Sequence, residues 1–171
     1  MSTIDSASHR VFVSTKAVYS WSLVLLLISG ALVAPFFAHH DFHTLYFSRL
    51  ERLVALPALL HGHELVHVIG FRIGGGLGRG QVAIRFSYRH LLLHVALRVP
   101  VRVGRLRFAA LLPGVLLGVV PLVAGALAGS GKLLVIGALM TAAAGGDVAV
   151  VAAVRGLEAE TRVELGAGWT S

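Results

Sequence analysis

Cysteine and asparagine are absent from the 171-residue chain, and charged residues make up only 13% of it. The absence of cysteine excludes disulfide bonds and means that any metal ion must be held by nitrogen and oxygen ligands. Because 56% of the residues are hydrophobic, the composition is too apolar for a typical soluble domain. The chain is therefore predicted to be an integral membrane protein, with a length that suits a single membrane domain, residues 1–171.

Acidic residues are also scarce, and the formal net charge is +7. Eight arginines and no acidic residue lie between Arg72 and Arg107. Arginine-rich segments between spans stay in the cytoplasm, so this segment is predicted to be cytoplasmic and to contact the lipid bilayer through anionic head groups. No nucleic-acid recognition motif accompanies the charge, and no nucleic-acid partner is expected.

Apolar runs long enough to cross a bilayer occur at residues 17–38, 53–73, 108–129 and 133–154. The predicted fold class is an α-helical membrane protein with four transmembrane helices and a small cytoplasmic β-hairpin or sheet between the second and third. The first run is interpreted as a retained helix rather than a signal peptide, because it is long and further spans follow. Both termini are then cytoplasmic, and the expected location is the plasma membrane of a prokaryote.

Local signals refine this outline at the ends of the chain and in the third span. Residues 1–16 are predicted to be a disordered or interfacial tail, and residues 155–171 a hydrophilic tail. Pro113 and Pro121 are predicted to kink the third span or to break it around Pro113.

The basic segment at residues 74–107 has a hydrophobic period of two. Three glycines at 74–76 are predicted to end the second helix. Apolar and polar residues then alternate over 82–89 and again over 97–103, which predicts two strands, each with one apolar face. Because Pro100 cannot donate a hydrogen bond to a ladder, its strand is predicted to be an edge or to be interrupted there.

The second apolar run contains His-Glu-Leu-Val-His at residues 63–67. On a helix, His63 and His67 are one turn apart, so both imidazoles project from the same face and can bind one zinc ion. Glu64 lies beside them as the candidate general base. The alternative is a helix that happens to carry satisfied polar residues, but ionisable groups are costly in a membrane span, which favours a functional role.

A catalytic zinc site usually has a third protein ligand, and the predicted topology selects Asp147. Measured back from the cytoplasmic ends of their helices, His63, His67 and Asp147 all lie about 7–14 Å deep, at ~1.5 Å per residue. Gly145 and Gly146 are small enough to let helices approach closely, so Asp147 is expected to reach the histidines of a neighbouring helix. The alternatives are that Asp147 pairs with another polar group or lines a water-filled cavity.

Other histidines are weaker candidates for a metal site. His39, His40, Asp41 and His43 are bunched together and could bind a metal, although such a cluster beside a membrane is often only interfacial. His61 lies on a different helical face from His63 and is not predicted to be a ligand.

These residues together predict hydrolytic chemistry. Zinc would lower the pKa of a bound water toward neutrality and polarise a peptide carbonyl. Glu64 would accept the proton of the attacking water and return it to the leaving amine.

The chain resembles the small membrane metallopeptidases related to the site-2 proteases, and most closely the group described as putative zincin peptidases. The likeness covers roughly residues 50–155 and has three parts. They are His-Glu-Leu-Val-His, the basic β-rich segment followed by Leu112-Pro113-Gly114, and Gly146-Asp147. It implies a zinc-dependent protease with a core of three helices, in which His63, His67 and Asp147 bind Zn2+ and Glu64 is the base.

The resemblance also implies a membrane protein or peptide as substrate, presented as an added strand at a sheet edge. One feature departs from the site-2 pattern, which usually has Asn and Pro upstream of the Asp and Gly after it. In this chain the run from Met140 to Val148 has no Asn or Pro before Asp147 and no Gly directly after it. The chain as a whole has no Asn to act as a conventional substrate clamp.

Two other functions remain open from the sequence. One is a metal-binding or transport protein, since some zinc transporters carry His-Glu-x-Pro-His on a span. Here Val66 replaces that proline, and four spans are few for such a transporter. The other is a non-catalytic membrane scaffold that kept the fold.

Overall fold

The computed structural model describes residues 9–39, 47–74, 76–78, 80–87 and 92–165. The described chain is mostly helical, with two small sheets. The helices are α1 Thr15–His39, α2 Arg49–Ile73, α3 Val103–Pro113, α4 Val120–Ala128, α5 Gly131–Ala143 and α6 Gly145–Ala153, with a π-helical turn at Gly114–Val119 between α3 and α4. The strands are β1 His9–Val11, β2 Val82–Ser87, β3 Leu92–Leu97, β4 Val101–Arg102 and β5 Arg162–Leu165.

Among the described residues, three helical stretches are long and apolar enough to cross a membrane. They are Thr15–Ala38, Val103–Ala128 and Gly131–Ala153. The prediction of four spans is thus confirmed for three of them, and α2, which carries the His-Glu-Leu-Val-His motif, is not in this set. The stretch that corresponds to the third predicted span begins at Val103 rather than at 108. The amides of Val103 and Gly104 bond to the carbonyls of Thr161 and Ala159, which starts the helix early.

Both ends of α2 follow from local sequence. Ser48 and Glu51 form a capping box, in which the Ser48 hydroxyl accepts from the Glu51 amide at 3.1 Å and the Glu51 carboxylate accepts from the Ser48 amide at 2.7 Å. The helix ends before Gly74, and Gly76 has a φ of 60°, which glycine adopts without strain. The predicted end of the second helix at the glycines is therefore confirmed.

The third span stays continuous through its prolines, but its geometry changes after the first. Pro113 has no N–H and so cannot continue the α-helical bonding pattern. The chain responds with the π-helical turn at Gly114–Val119, and α4 resumes the α-helix immediately afterwards. The predicted disturbance around Pro113 is thus seen as a widened turn rather than a break.

The predicted hairpin is present, but its second strand was placed too late in the chain. β2 pairs with β3 in an antiparallel ladder from Val82↔Leu97 to Ser87↔Leu92, so the partner strand is 92–97 and not 97–103. Pro100 interrupts the later run as predicted, and the short strand after it, Val101–Arg102, joins a different sheet.

That second sheet joins the two ends of the described chain. Its order is β1-β5-β4, with β1 parallel to β5 and β4 antiparallel to it. The prediction that residues 1–16 and 155–171 are only tails was therefore wrong for the strands His9–Val11 and Arg162–Leu165. Val163 and Val154 are fully buried, because these segments close over the ends of α3 and α6.

One buried cluster links the helix that carries the motif to both sheets. Its members are Val68, Phe71, Val82, Val101, Val103, Leu106, Ala109, Val154 and Val163. The cluster lies at the end of the helices next to the arginine-rich segment, and it holds the hairpin against α2.

Candidate metal centre

Helix α2 presents His63 and His67 on one buried face. They are four residues apart, and each is only 7% exposed. Their ring centroids are 4.9 Å apart with the planes at 79°, so both Nε2 atoms can point to a common position. The helical spacing predicted from the sequence is therefore present.

Asp147 meets both histidines from the third residue of α6. Its Oδ2 lies 3.0 Å from Nε2 of His63, and its Oδ1 lies 3.0 Å from Nε2 of His67. One donor atom from each of the three residues lies within 4.8 Å of the others. The structure thus brings together the three residues predicted as ligands, across a separation of 84 residues between His63 and Asp147.

The two glycines of α6 do not act as predicted, because they do not bring α6 close to α2. Gly145 and Gly146 face α1 rather than α2, and a Cβ on Gly145 would overlap the main-chain nitrogen of Ser22. At its other end α6 is held by Arg107, whose Nη2 donates to the carbonyls of Val154 at 2.6 Å and Leu157 at 2.9 Å. Asp147 is therefore positioned by contacts of α6 with α1 and α3.

The second nitrogens of the two histidines have different surroundings. Nδ1 of His67 donates to the main-chain carbonyl of Ala109 at 2.9 Å, because a carbonyl oxygen can only accept. This bond leaves the lone pair of Nε2 free for a metal. Nδ1 of His63 is buried and has no hydrogen-bond partner within the part of the chain that the structure describes.

Glu64 points toward the hairpin. Its Oε2 accepts from the main-chain amide of Val95 on β3 at 3.0 Å. The ladder explains why this amide is available. Arg98 donates to the carbonyl of Gln81, so these two residues form a hydrogen-bonded pair. Non-hydrogen-bonded and hydrogen-bonded pairs alternate from there, and Val95 falls in a non-hydrogen-bonded pair with Ile84. Its N–H therefore faces away from β2.

An apolar cavity of about 150 Å3 adjoins the site. Asp147 and the π-helical turn line it, together with Thr141, whose hydroxyl oxygen is buried without a partner among the described residues. A larger cavity of about 390 Å3 lies at the start of α3, and His63, His67 and Asp147 do not line it. Arg102, Arg105 and Arg162 line it.

With this geometry in place, the comparison with protein families is decisive. Residues 56–160, more than half of the chain, match the model of a family described as putative zincin peptidase. The chain belongs to the putative zincin peptidase family. No curated protein and no solved structure matches the chain.

Membership of the zincin family implies zinc, and the residues present fit that ion. Two imidazole nitrogens and one carboxylate oxygen are a common ligand set for catalytic Zn2+, which leaves a fourth position open. The carbonyl of Ala109, which accepts from Nδ1 of His67, is also the type of outer contact found around zinc ligands. His63, His67 and Asp147 would therefore hold the zinc of this family member.

The other sequence candidates are not part of the site. His61 is half-buried, and its Nδ1 lies 2.6 Å from the Pro57 carbonyl, away from the three ligands as its helical face predicts. His40, Asp41 and His43 lie outside the described residues, and only the main chain of His39 is described. Sequence reasoning missed the contacts of Val95 and Ala109, because both are made by main-chain atoms.

Proposed function

We propose that this protein is a membrane-embedded zinc metalloendopeptidase that hydrolyses peptide bonds of membrane-associated substrates. The observation that carries the proposal is the meeting of His63, His67 and Asp147 in a chain of the zincin family. Three such groups are costly inside an apolar helix bundle, which favours a functional role such as metal binding.

The proposal includes α2 as a fourth span. The helix has 25 residues, enough to cross a bilayer, and it packs along α3, which belongs to a span. Near its start, Glu51 bonds to Lys132 at the start of α5, so these two helix ends share one side. Near the other end lie the arginine-rich segment and both sheets, which favours a cytoplasmic location for that side and for both termini.

In this mechanism the two oxygens of Glu64 have different tasks. Oε2 is held by the Val95 amide, and Oε1 accepts the proton of the water that attacks the scissile carbonyl. The same carboxyl group then returns the proton to the leaving amine. Zinc, when bound, would supply Lewis-acid chemistry that lowers the pKa of water and polarises the carbonyl. His63, His67 and Asp147 are the residues that hold the ion.

Purified protein and its Glu64→Gln variant test the proposal. We expect about one zinc per chain by mass spectrometry of the metal in both proteins. Cleavage of a membrane-anchored reporter peptide should fall by about 10²–10⁴-fold in Glu64→Gln. Glu51→Gln, on the same helix but outside the site, is the matched control and should cleave normally. A Glu64→Gln protein that cleaves as fast as wild type would contradict the proposal, as would a wild type without zinc.

A further inference from the structure

Ala109 has a carbonyl group that its own helix cannot bond in the usual way. In an α-helix the carbonyl of residue i accepts from the N–H of residue i+4. For Ala109 that residue is Pro113, which has no N–H. The acceptor is therefore open to a side chain, and Nδ1 of His67 occupies it at 2.9 Å.

The surroundings of this bond exclude water as an alternative donor. Ala109 is 0% exposed and His67 is 7% exposed, and Pro113 is fully buried as well. A buried carbonyl without a donor costs free energy, so the missing helical bond and the histidine N–H satisfy each other. Gly70, one turn after His67, allows the close approach, since a Cβ there would lie 3.0 Å from the Cα of Ala109.

We propose that Pro113 is a positioning residue for the metal ligand His67. Because Pro113 has no N–H to donate, the carbonyl of Ala109 stays available to Nδ1 of His67. This hydrogen bond sets the orientation of the ring and directs its Nε2 to Asp147. The inference rests on the proposed zinc function. It gives the Pro of the Leu112-Pro113-Gly114 run a role in the site, in addition to its effect on helix shape.

The chain supplies a matched control in the same span. Pro121 also lacks an N–H, but the carbonyl that it leaves without its α-helical donor is that of Leu117. In the described part of the chain, neither Pro121 nor Leu117 is one of the three candidate ligands or a partner in their hydrogen bonds. Replacing either proline by alanine restores one main-chain donor, and only the Pro113 replacement adds a donor that competes with His67.

The first experiment compares Pro113→Ala, Pro121→Ala and the wild type in full-length detergent-solubilised protein. Zinc affinity is measured by competition with a chelator, and thermal stability is measured without metal. We expect Pro113→Ala to bind zinc about 10–100-fold more weakly, as for other lost outer contacts of zinc ligands. Pro121→Ala should bind like the wild type.

Stability separates positioning from a purely structural role. Alanine favours a helix more than proline does, so Pro113→Ala should melt at the same temperature as the wild type or higher. A purely structural proline would instead lower stability and zinc affinity together. Pro113→Ala that binds zinc as tightly as Pro121→Ala would overturn the inference, and so would a melting temperature that falls along with zinc affinity.

A spectroscopic measurement on the wild type tests the ring protonation that the inference requires, even if the variant does not fold. In 15N-histidine NMR spectra of the zinc-loaded protein, the signal missing from His67→Gln identifies the ring. We expect a proton on Nδ1 and none on Nε2. A proton on Nε2 would overturn the inference. A wild type that binds no zinc removes the proposed function itself, which distinguishes that failure from a failure at Pro113.

Discussion

The carboxylate of Asp147 lies 3.0 Å from Nε2 of His63, although 84 residues separate the two in the chain. With His67 on its other oxygen, Asp147 joins α6 to α2 at the centre of the candidate site. The consequence for metal binding can be tested by changing this one group.

Asp147→Asn is expected to abolish tight zinc binding while leaving the fold intact. The amide has the same shape but carries no charge and is a poor zinc ligand, so zinc affinity should fall by more than about 100-fold, beyond the loss of an outer contact. Competition with a chelator measures this loss. Glu158→Gln removes an exposed carboxylate elsewhere and should bind zinc normally. Equal zinc affinity in Asp147→Asn and the wild type would exclude Asp147 as a ligand.

Glu64 is expected to hold the hairpin as well as to act in catalysis. The outward-facing amide of Val95 depends on Glu64 rather than on β2 for its hydrogen bond. In Glu64→Ala this amide should exchange with deuterium at least about tenfold faster, because its acceptor is gone. Glu64→Gln keeps an acceptor oxygen and should preserve protection.

Amide-resolved hydrogen exchange by mass spectrometry gives this measurement, with Ala96 on the same strand as the internal reference. The amide of Ala96 faces β2, so its protection should stay the same in both variants. If Val95 exchanges at one rate in wild type, Glu64→Ala and Glu64→Gln, the contact does not stabilise the hairpin.

The Glu51–Lys132 pair is expected to contribute to stability in a pH-dependent manner. The hydrogen bond from Lys132, followed by those from Ser48, lowers the pKa of Glu51 from 4.5 to about 2. The pKa of Glu51 is lower in the folded protein than in the unfolded chain. The pair therefore stabilises the fold above pH 4.5, and this stabilisation is lost as the pH falls toward 2.

Melting temperatures of Glu51→Gln and wild type across that range check the sign. The pair is partly exposed, so the variant should melt no more than about 4 °C lower at pH 7. The difference should shrink below pH 4.5, the unfolded value. Glu158→Gln controls for the loss of one negative charge. A difference that grows as the pH falls would contradict the assignment.

Gly145→Ala is expected to destabilise the protein more than Gly146→Ala. A Cβ on Gly145 would overlap the main-chain nitrogen of Ser22 on α1, whereas the nearest atom to a Cβ on Gly146 is Val18 Cγ1 at 3.7 Å. Main-chain atoms cannot give way easily, so Gly145→Ala should cost about 1–3 kcal/mol. Thermal unfolding in detergent compares the two adjacent variants. Equal melting temperatures would show that α1 does not pack on α6 in this way.

The candidate site was predictable because its chemistry lies in side chains with regular spacing. His63 and His67 are set by the helical repeat, and Asp147 follows from depth in the span once the topology is known. The depth argument needed no knowledge of which helices touch. It led to Asp147, which does lie beside the two histidines, even though Gly145 and Gly146 pack against α1, so the meeting was predicted for an incomplete reason.

The sheets were predicted less well because strand pairing depends on residues far apart in the chain. Alternation over 97–103 is real, but Pro100 divides it, and the apolar residues at 92–97 pair with β2 instead. Nothing in the local pattern of His9–Val11 or Arg162–Leu165 reveals that these segments pair with each other. Their strands form only when the helices have brought the two ends together.

The parallel pairing of β1 with β5 also determines how the protein can be joined to others. Because the strands at His9–Val11 and Arg162–Leu165 are neighbours in one sheet with Val101–Arg102, the two ends of the described chain lie at the same end of the helices as the arginine-rich segment. A reporter fused to either strand is therefore expected to report on that same end of the helices. A tether attached there is expected to leave the other end of α2, where Glu51 meets Lys132, free.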